Sequence, residues 1–383
     1  MQSERALLII LVIILQGIGL VMIYDSSAIY ANEAPAIHDS DFFLKRQLMW
    51  IGLGVAALVV LSNVDYRVLT RKAAPIFGMT LLGLCLVFVP GIGVKAKGAC
   101  RWINAGGKLV QPSEFAKVAM ILFLAGTLSR SQGRYPLTPK KLLLPLGGVG
   151  LCAGLVLLEP DFSSTAVLAV LAFVLLFAAG TKLRYLFCLV CGGMGALAYK
   201  VYTSSYQLGR IVAFLNPAEH QSTVGYQQTQ SLLALGTGGL FGLGLGLGRQ
   251  KLGFLPYLYN DFVGASIGEQ TGFLGMCVLI GLFLVFVVLG FRIASRAGDL
   301  EGYLVAIGVS SLIAIHVFVH LGVVTSLLPA TGLNLPFVSF GGSNLFVAFF
   351  GTGLLISVSR VAEKEVGKEP ARALRARSVI TTS

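Results

Sequence analysis

Ten stretches of this chain are apolar over about the length of a membrane span. They lie near 6–24, 47–62, 74–90, 113–129, 142–158, 163–180, 185–201, 264–290, 302–327 and 338–358. A helix needs about twenty mostly apolar residues to cross the hydrocarbon core of a bilayer. The composition leaves little alternative: 12% of the 383 residues are charged and 56% are hydrophobic, whereas soluble domains carry roughly 25% charged residues. The expected fold is an all-α polytopic membrane protein of about ten transmembrane helices. Residues 1–360 form one integral-membrane domain, with a large extracytoplasmic loop, 202–263, between helices 7 and 8. Residues 361–383 are polar and charged and are expected to be a disordered cytoplasmic tail. The stretch Ala6–Ile23 is too long for a signal-peptide core and has no small-residue cleavage site, so it is read as the first span.

An even number of spans puts both termini on one side, and the loop charges say which. Arg67, Arg71, Lys72, Arg130, Arg134, Lys140, Lys141, Lys182, Arg184, Arg292 and Arg296 fall in alternate loops, and six more Lys and Arg follow from Arg360 on. Basic loops stay in the cytoplasm, so both termini are expected there. The net charge of +12 is then a topological signal in contact with membrane lipids, and nucleic acid is not an expected partner. Two loops break the pattern. Loop 91–112 holds Lys95, Lys97, Arg101 and Lys108 with no acid, and loop 202–263 holds Arg210, Arg249 and Lys251. Basic residues on the outer side need another reason, and an anionic ligand at the membrane surface is the simplest one. Of six cysteines, five lie in apolar runs and read as small fillers.

Polar residues concentrate between Tyr206 and Gly272. Asp261 follows Pro256 and precedes the eighth span, and Glu269 lies two helical turns on. A carboxylate there, near several cations, suits a general base or a metal ligand. Glu114 and Lys117 are three apart in QPSEFAK, on one helix face, either as a self-neutralising pair or as the lining of a polar cavity. Glu159-Pro160-Asp161 opens the sixth span, where an acid near a helix start also serves plain capping. The glycine-rich run 236–248 lacks the P-loop pattern and no strand precedes it, so it reads as close-packed or re-entrant helix. His316 and His320 are i, i+4 with no third ligand evident, so packing and hydrogen bonding are expected of them.

Together, PGIGVKAKGACRWI, QPSEFAK, LEPDFSST, RIVAFLNP, GYQQTQSLLALGTGGLFGLGLG, QKLGFLP, NDFVGASIGEQTGFLG and LLPATGLNLPFVSFGGSNL resemble, in order and over nearly the whole chain, the SEDS family of RodA, FtsW and SpoVE proteins. GIG at 91–93 and QKLGFLP resemble the FtsW, division branch more than RodA. The resemblance implies a bacterial inner-membrane glycosyltransferase. It would polymerise lipid II, a polyprenyl-diphosphate-linked disaccharide peptide, beside a class B penicillin-binding protein and other divisome or elongasome proteins. The family's catalytic aspartate lies in a Pro-Glu-x-His-Thr-Asp-Phe stretch and falls on Asp261. The implied substrate-binding residues are Arg101, Glu114, Lys117, Glu159, Asp161, Arg210, Glu269 and Ser339. The implied cofactor is a divalent cation, Mg²⁺ or Mn²⁺, with Asp261 as a candidate ligand, and no organic cofactor. This chain departs from the family pattern at Tyr257, Tyr259, Asn260, Gln270, His316 and His320. Two other functions share the resemblance: a lipid II flippase, although no internal repeat of the transporter kind is visible, and a non-catalytic scaffold that recruits the penicillin-binding protein.

Overall fold

The structure, a computed structural model, describes residues 2–380 except 36, 97–98, 107, 131–138, 217–218 and 220–224. Of 95–96, 99, 105, 108, 139, 205–206 and 366–380 it describes the backbone alone. Lys97 and Arg134 lie outside the described residues, as do the side chains of Lys95, Lys108, Lys368, Arg372, Arg375 and Arg377.

The chain runs α1 (Gln2–Glu33), α2 (Phe42–Asn63), α3 (Tyr66–Arg71), α4 (Ala73–Leu86), β1 (Gly93–Ala96), β2 (Ala99–Ala105), β3 (Lys108–Val110), α5 (Pro112–Ser129), α6 (Pro139–Leu158), α7 (Phe162–Ala178), α8 (Leu183–Tyr202), α9 (Ser205–Leu215), α10 (Tyr226–Gly238), a 3-10 turn (Gln250–Leu252), α11 (Val263–Ser295), α12 (Leu300–Val324) and α13 (Gly342–Ile380). Among the described residues, seven helices are long and apolar enough to cross a membrane: α1, α2, α6, α8, α11, α12 and α13. Helices α4 and α7 are apolar but shorter. A backbone with no water to bond must be paired within the protein, and the break in α11 is paired by another segment. The molecule is a mostly helical, multi-pass membrane protein.

The chain is not all-α. Loop 91–112 folds as an antiparallel sheet in the order β1-β2-β3, with Val94 opposite Trp102 and Ile103 opposite Val110. Val94, Trp102, Ile103 and Val110 are β-branched or aromatic residues that suit a pleated surface. The basic charge of the segment obscures that signal in the sequence.

Helices α5 and α12 occupy the middle of the bundle, with nearly every side chain of α5 from Pro112 to Leu128 buried. In α8, by contrast, Leu186 is buried, Tyr185 and Leu189 pack partly against the core, and most of the other side chains are exposed. Close approach uses small residues, as is usual in membranes: Gly54 of α2 lies under the ring of Phe349, and Gly353 of α13 packs on Leu58 and Leu61.

Helix α11 is broken at Gly272, where φ is 67° and ψ −167°. The glycine-rich run after α10 fills the break. Leu243 N donates to Glu269 O (3.0 Å), Gly244 N to Gln270 O (3.0 Å), Phe273 N to Gly239 O (2.9 Å) and Leu274 N to Leu240 O (3.2 Å). A β-carbon at Gly242 would strike the Gln270 carbonyl, and one at Gly272 would strike the Gly242 amide. Glycine is required at both because backbone lies directly on backbone.

Candidate active site

The site is organised by the non-helical segment 328–341, between α12 and α13. Its successive carbonyls meet side chains from different elements. Ala330 O accepts from Arg210 Nη1 of α9 (3.0 Å) and Thr331 O from Ser163 Oγ of α7 (2.7 Å). Leu333 O accepts from His320 Nδ1 (2.9 Å) and Asn334 O from His316 Nδ1 (3.3 Å), both on α12. Gly332, at φ +72°, faces the carboxylate of Asp261. Ser339 is buried and closes the segment on itself: its Oγ accepts from Leu335 N (2.9 Å) and its N–H donates to Leu335 O (2.9 Å).

Asp261 is half-buried at the end of the segment leading into α11. Tyr257 adopts φ 59°, and its carbonyl accepts from the amides of Asn260 (3.0 Å) and Asp261 (3.1 Å) in a tight turn. The ring of Tyr259 wedges among Phe43, Tyr30 and Phe340, at centroid distances of 4.4, 5.9 and 6.0 Å. Its carbonyl accepts from Phe340 N (3.0 Å). Burial raises the Tyr259 phenol above its ordinary range, so it stays protonated. This aromatic anchor holds the turn, at whose end Asp261 is half-buried.

Behind that segment lies a buried polar network. Lys117 Nζ donates to Glu114 Oε1 (2.6 Å) and to His316 Nε2 (3.2 Å). Asn344 Nδ2 donates to Glu114 Oε2 (3.1 Å) and lies 3.3 Å from His316 Nδ1. Lys117 is 0% exposed, and a buried pair is tolerated only when its remaining donors and acceptors are satisfied. Here α12 and α13 supply those partners.

Arg101, on β2, donates from Nε to the Glu159 carbonyl (3.2 Å) and from Nη2 to the Pro160 carbonyl, clasping the α6–α7 turn. Asp161 caps α7, accepting from Ser164 N (3.1 Å), and it also accepts from Gln111 Nε2 (3.1 Å) and Ser113 Oγ (3.4 Å). Glu159 is fully buried, and among the described residues neither of its carboxylate oxygens has a hydrogen-bond partner. Burial first, and the charge of Asp161 second, push its pKa up to about 8, against the opposing pull of Arg101.

Glu269 stands apart from these residues. Its carboxylate accepts from the amides of Arg249 (2.8 Å) and Gln250 (3.3 Å), holding the glycine-rich run to α11. Next to it, Gln270 Nε2 donates to Asp25 Oδ2 (2.6 Å), and Asp25 Oδ1 pairs with Lys251 (2.5 Å). Thus Asp261, Arg210 and Ser339 meet along 328–341, Glu114 and Lys117 reach it through His316, and Asp161 neighbours it through Ser163. Sequence reasoning missed Asn344, Ser163, Gln111 and Asp25. Asn344 and Asp25 were findable as polar residues at or beside apolar runs.

No three His, Cys, Asp or Glu side chains come together among the described residues. These residues do not make a cage that holds a metal alone. Asp261 alone would supply one carboxylate ligand to a hard divalent cation.

Residues 5–364 match the family profile described as cell cycle protein, FtsW, RodA and SpoVE. A protein of Trichlorobacter lovleyi named probable peptidoglycan glycosyltransferase FtsW is 41% identical over 92% of this chain and 92% of its own length. Among solved structures, one from work titled "Structural coordination of polymerization and crosslinking by a peptidoglycan synthase complex" superposes with a TM-score of 0.74 at 28% identity, over 93% of this chain and 97% of the other. The rod shape determining protein RodA of Thermus thermophilus superposes with a TM-score of 0.67 at 29% identity, over 92% of this chain and 95% of the other.

Proposed function

The chain belongs to the FtsW, RodA and SpoVE family and is a peptidoglycan glycosyltransferase, and we propose that it polymerises lipid II with Asp261 as the general base. The observation that carries this reading is the convergence of Asp261, Arg210 and the Lys117–His316 pair on segment 330–334. A carboxylate beside cations suits transfer from a donor whose leaving group is a diphosphate. The acceptor sugar hydroxyl attacks C1 of the donor, its proton passes to Asp261, and the C1–O bond to the diphosphate breaks with inversion. Arg210 and Arg101, both half-buried, are the accessible cations for the departing charge, with Lys117 deeper. Electrostatic stabilisation of this kind is often the largest catalytic effect. A divalent cation, when bound, adds charge stabilisation at the diphosphate.

In the same reading α4, α5 and α7 complete ten spans. The protein sits in the bacterial inner membrane with both termini in the cytoplasm, and 202–263 lies outside. The lipid tail reaches the site between helices. A class B penicillin-binding protein crosslinks the product, beside other divisome or elongasome proteins.

The test is Asp261→Asn in purified protein with labelled lipid II, with and without a cognate penicillin-binding protein. The variant keeps the shape and removes the proton acceptor, so membrane insertion and lipid II binding persist while glycan synthesis falls about 10²- to 10⁴-fold. Normal synthesis sinks the assignment. Lipid II crossing a vesicle bilayer without polymerisation makes the protein a flippase; partner binding with neither activity makes it a scaffold.

A further inference from the structure

His320 is 1% exposed on α12, and its ring stands between two backbones. Nδ1 lies 2.9 Å from the carbonyl of Leu333 and Nε2 lies 3.3 Å from the amide nitrogen of Gly264. A carbonyl only accepts and an amide N–H only donates, so the partners dictate one tautomer: the proton is on Nδ1 and the Nε2 lone pair is free to accept. Gly264 is the second residue of α11, and the first amides of a helix have no partner within it. His320 supplies that partner. The contact is close, since a β-carbon at Gly264 would lie 3.2 Å from Nε2 and 3.4 Å from Cδ2.

The two backbones are those that place Asp261. Gly264 lies three residues after Asp261, in the first turn of the helix that Asp261 leads into, and Leu333 follows Gly332, which the Asp261 carboxylate faces. One ring therefore sets the separation between the backbone that carries the carboxylate and the backbone opposite it. His316, one turn earlier, has its ring nitrogens committed to Lys117 and Asn334 and cannot do this.

We infer that His320 is a positioning residue for glycosyl transfer, holding α11 to segment 332–334 so that Asp261 stands at the right distance from the acceptor hydroxyl. This rests on Asp261 being the proton acceptor. Misplacement of a reacting group by about 1 Å can cost about 100-fold in rate.

The experiment compares H320L, H320N and H320Q with wild type and D261N as full chains, using labelled lipid II. Asn keeps a donor near Leu333, Gln keeps an acceptor near Gly264, and Leu keeps neither. The expected result is that H320L lowers kcat about 10- to 100-fold, leaves KM within about threefold, and unfolds near the wild-type temperature. H320N and H320Q each recover part of kcat. A wild-type kcat in H320L overturns the proposal, as does a loss that appears in KM or that tracks the folded fraction. If H320L fails to insert, wild-type kcat in both H320N and H320Q overturns it equally. D261N at the wild-type rate overturns the Asp261 assignment separately, whatever the histidine variants do.

Discussion

The carboxylate of Asp261 faces Gly332 so closely that a β-carbon there would stand 3.4 Å from Oδ2. Asp261 ends an irregular loop, while Gly332 lies in the exposed middle of another with φ at +72°. Asp261 is half-buried and Gly332 exposed, so under the proposed function an acceptor hydroxyl would approach the carboxylate past Gly332.

Gly332→Ala tests that relationship. Left-handed φ costs an L residue about 1–2 kcal/mol, while the added methyl makes only ordinary contact with Asp261. The expected outcome is a stability loss of that size in thermal unfolding, with lipid II binding retained and polymerisation reduced several-fold. An unchanged rate would place the reacting hydroxyl elsewhere.

Glu159 makes stability depend on pH. Its folded pKa, about 8, is raised from an ordinary value of 4.5. Between these values the folded protein holds a proton that the unfolded chain releases, so the stabilisation is full below about pH 4.5 and is lost as pH rises through about 8. Melting temperatures of detergent-solubilised protein should therefore fall across this window, and Glu159→Gln should flatten the decline. An equal decline in the variant would exclude Glu159 as its source.

Arg101→Ala should cut polymerisation at least tenfold without affecting insertion, because it removes both a cation of the site and the clasp on the carbonyls of Glu159 and Pro160. Arg130→Ala should be nearly silent, since that side chain is exposed and bonds only the Arg71 carbonyl at 3.4 Å among the described contacts. Equal effects would mean that both charges serve topology alone.

Lys117→Met leaves Glu114 charged and buried without its cation. Breaking a buried pair from one side typically costs about 3–5 kcal/mol. Adding Glu114→Gln removes the stranded charge and should recover most of that stability, though not the activity. Chemical denaturation of the two variants reads the difference directly; a double variant no more stable than the single one would argue against a coupled pair.

Cys100, half-buried on β2, should react with a membrane-impermeant maleimide added to spheroplasts, whereas Lys140→Cys should not. The reverse labelling would move every site residue to the other compartment.

What the sequence determined by itself are the features that depend on nearest neighbours. Apolar runs become helices because each peptide group in lipid must find its partner within its own segment. The run near 163–180 thus corresponds to α7 at Phe162–Ala178, and that near 302–327 to α12 at Leu300–Val324. Glu114 and Lys117 meet at 2.6 Å because three residues span one turn, and Asp161 caps α7 from the position its sequence gives it. The motifs also named the family. Only the tertiary structure decided which distant groups meet. Five consecutive residues, 330–334, look alike as backbone, yet packing directs their carbonyls or α-carbon to Arg210, Ser163, Asp261, His320 and His316 in turn. Glu269 and Asp261 sit two turns apart in sequence, but the break at Gly272 and the glycine-rich run draw the Glu269 carboxylate to the amides of Arg249 and Gln250. Hydrogen bonds between segments remote in sequence follow from how the helices pack, and no local pattern records that packing.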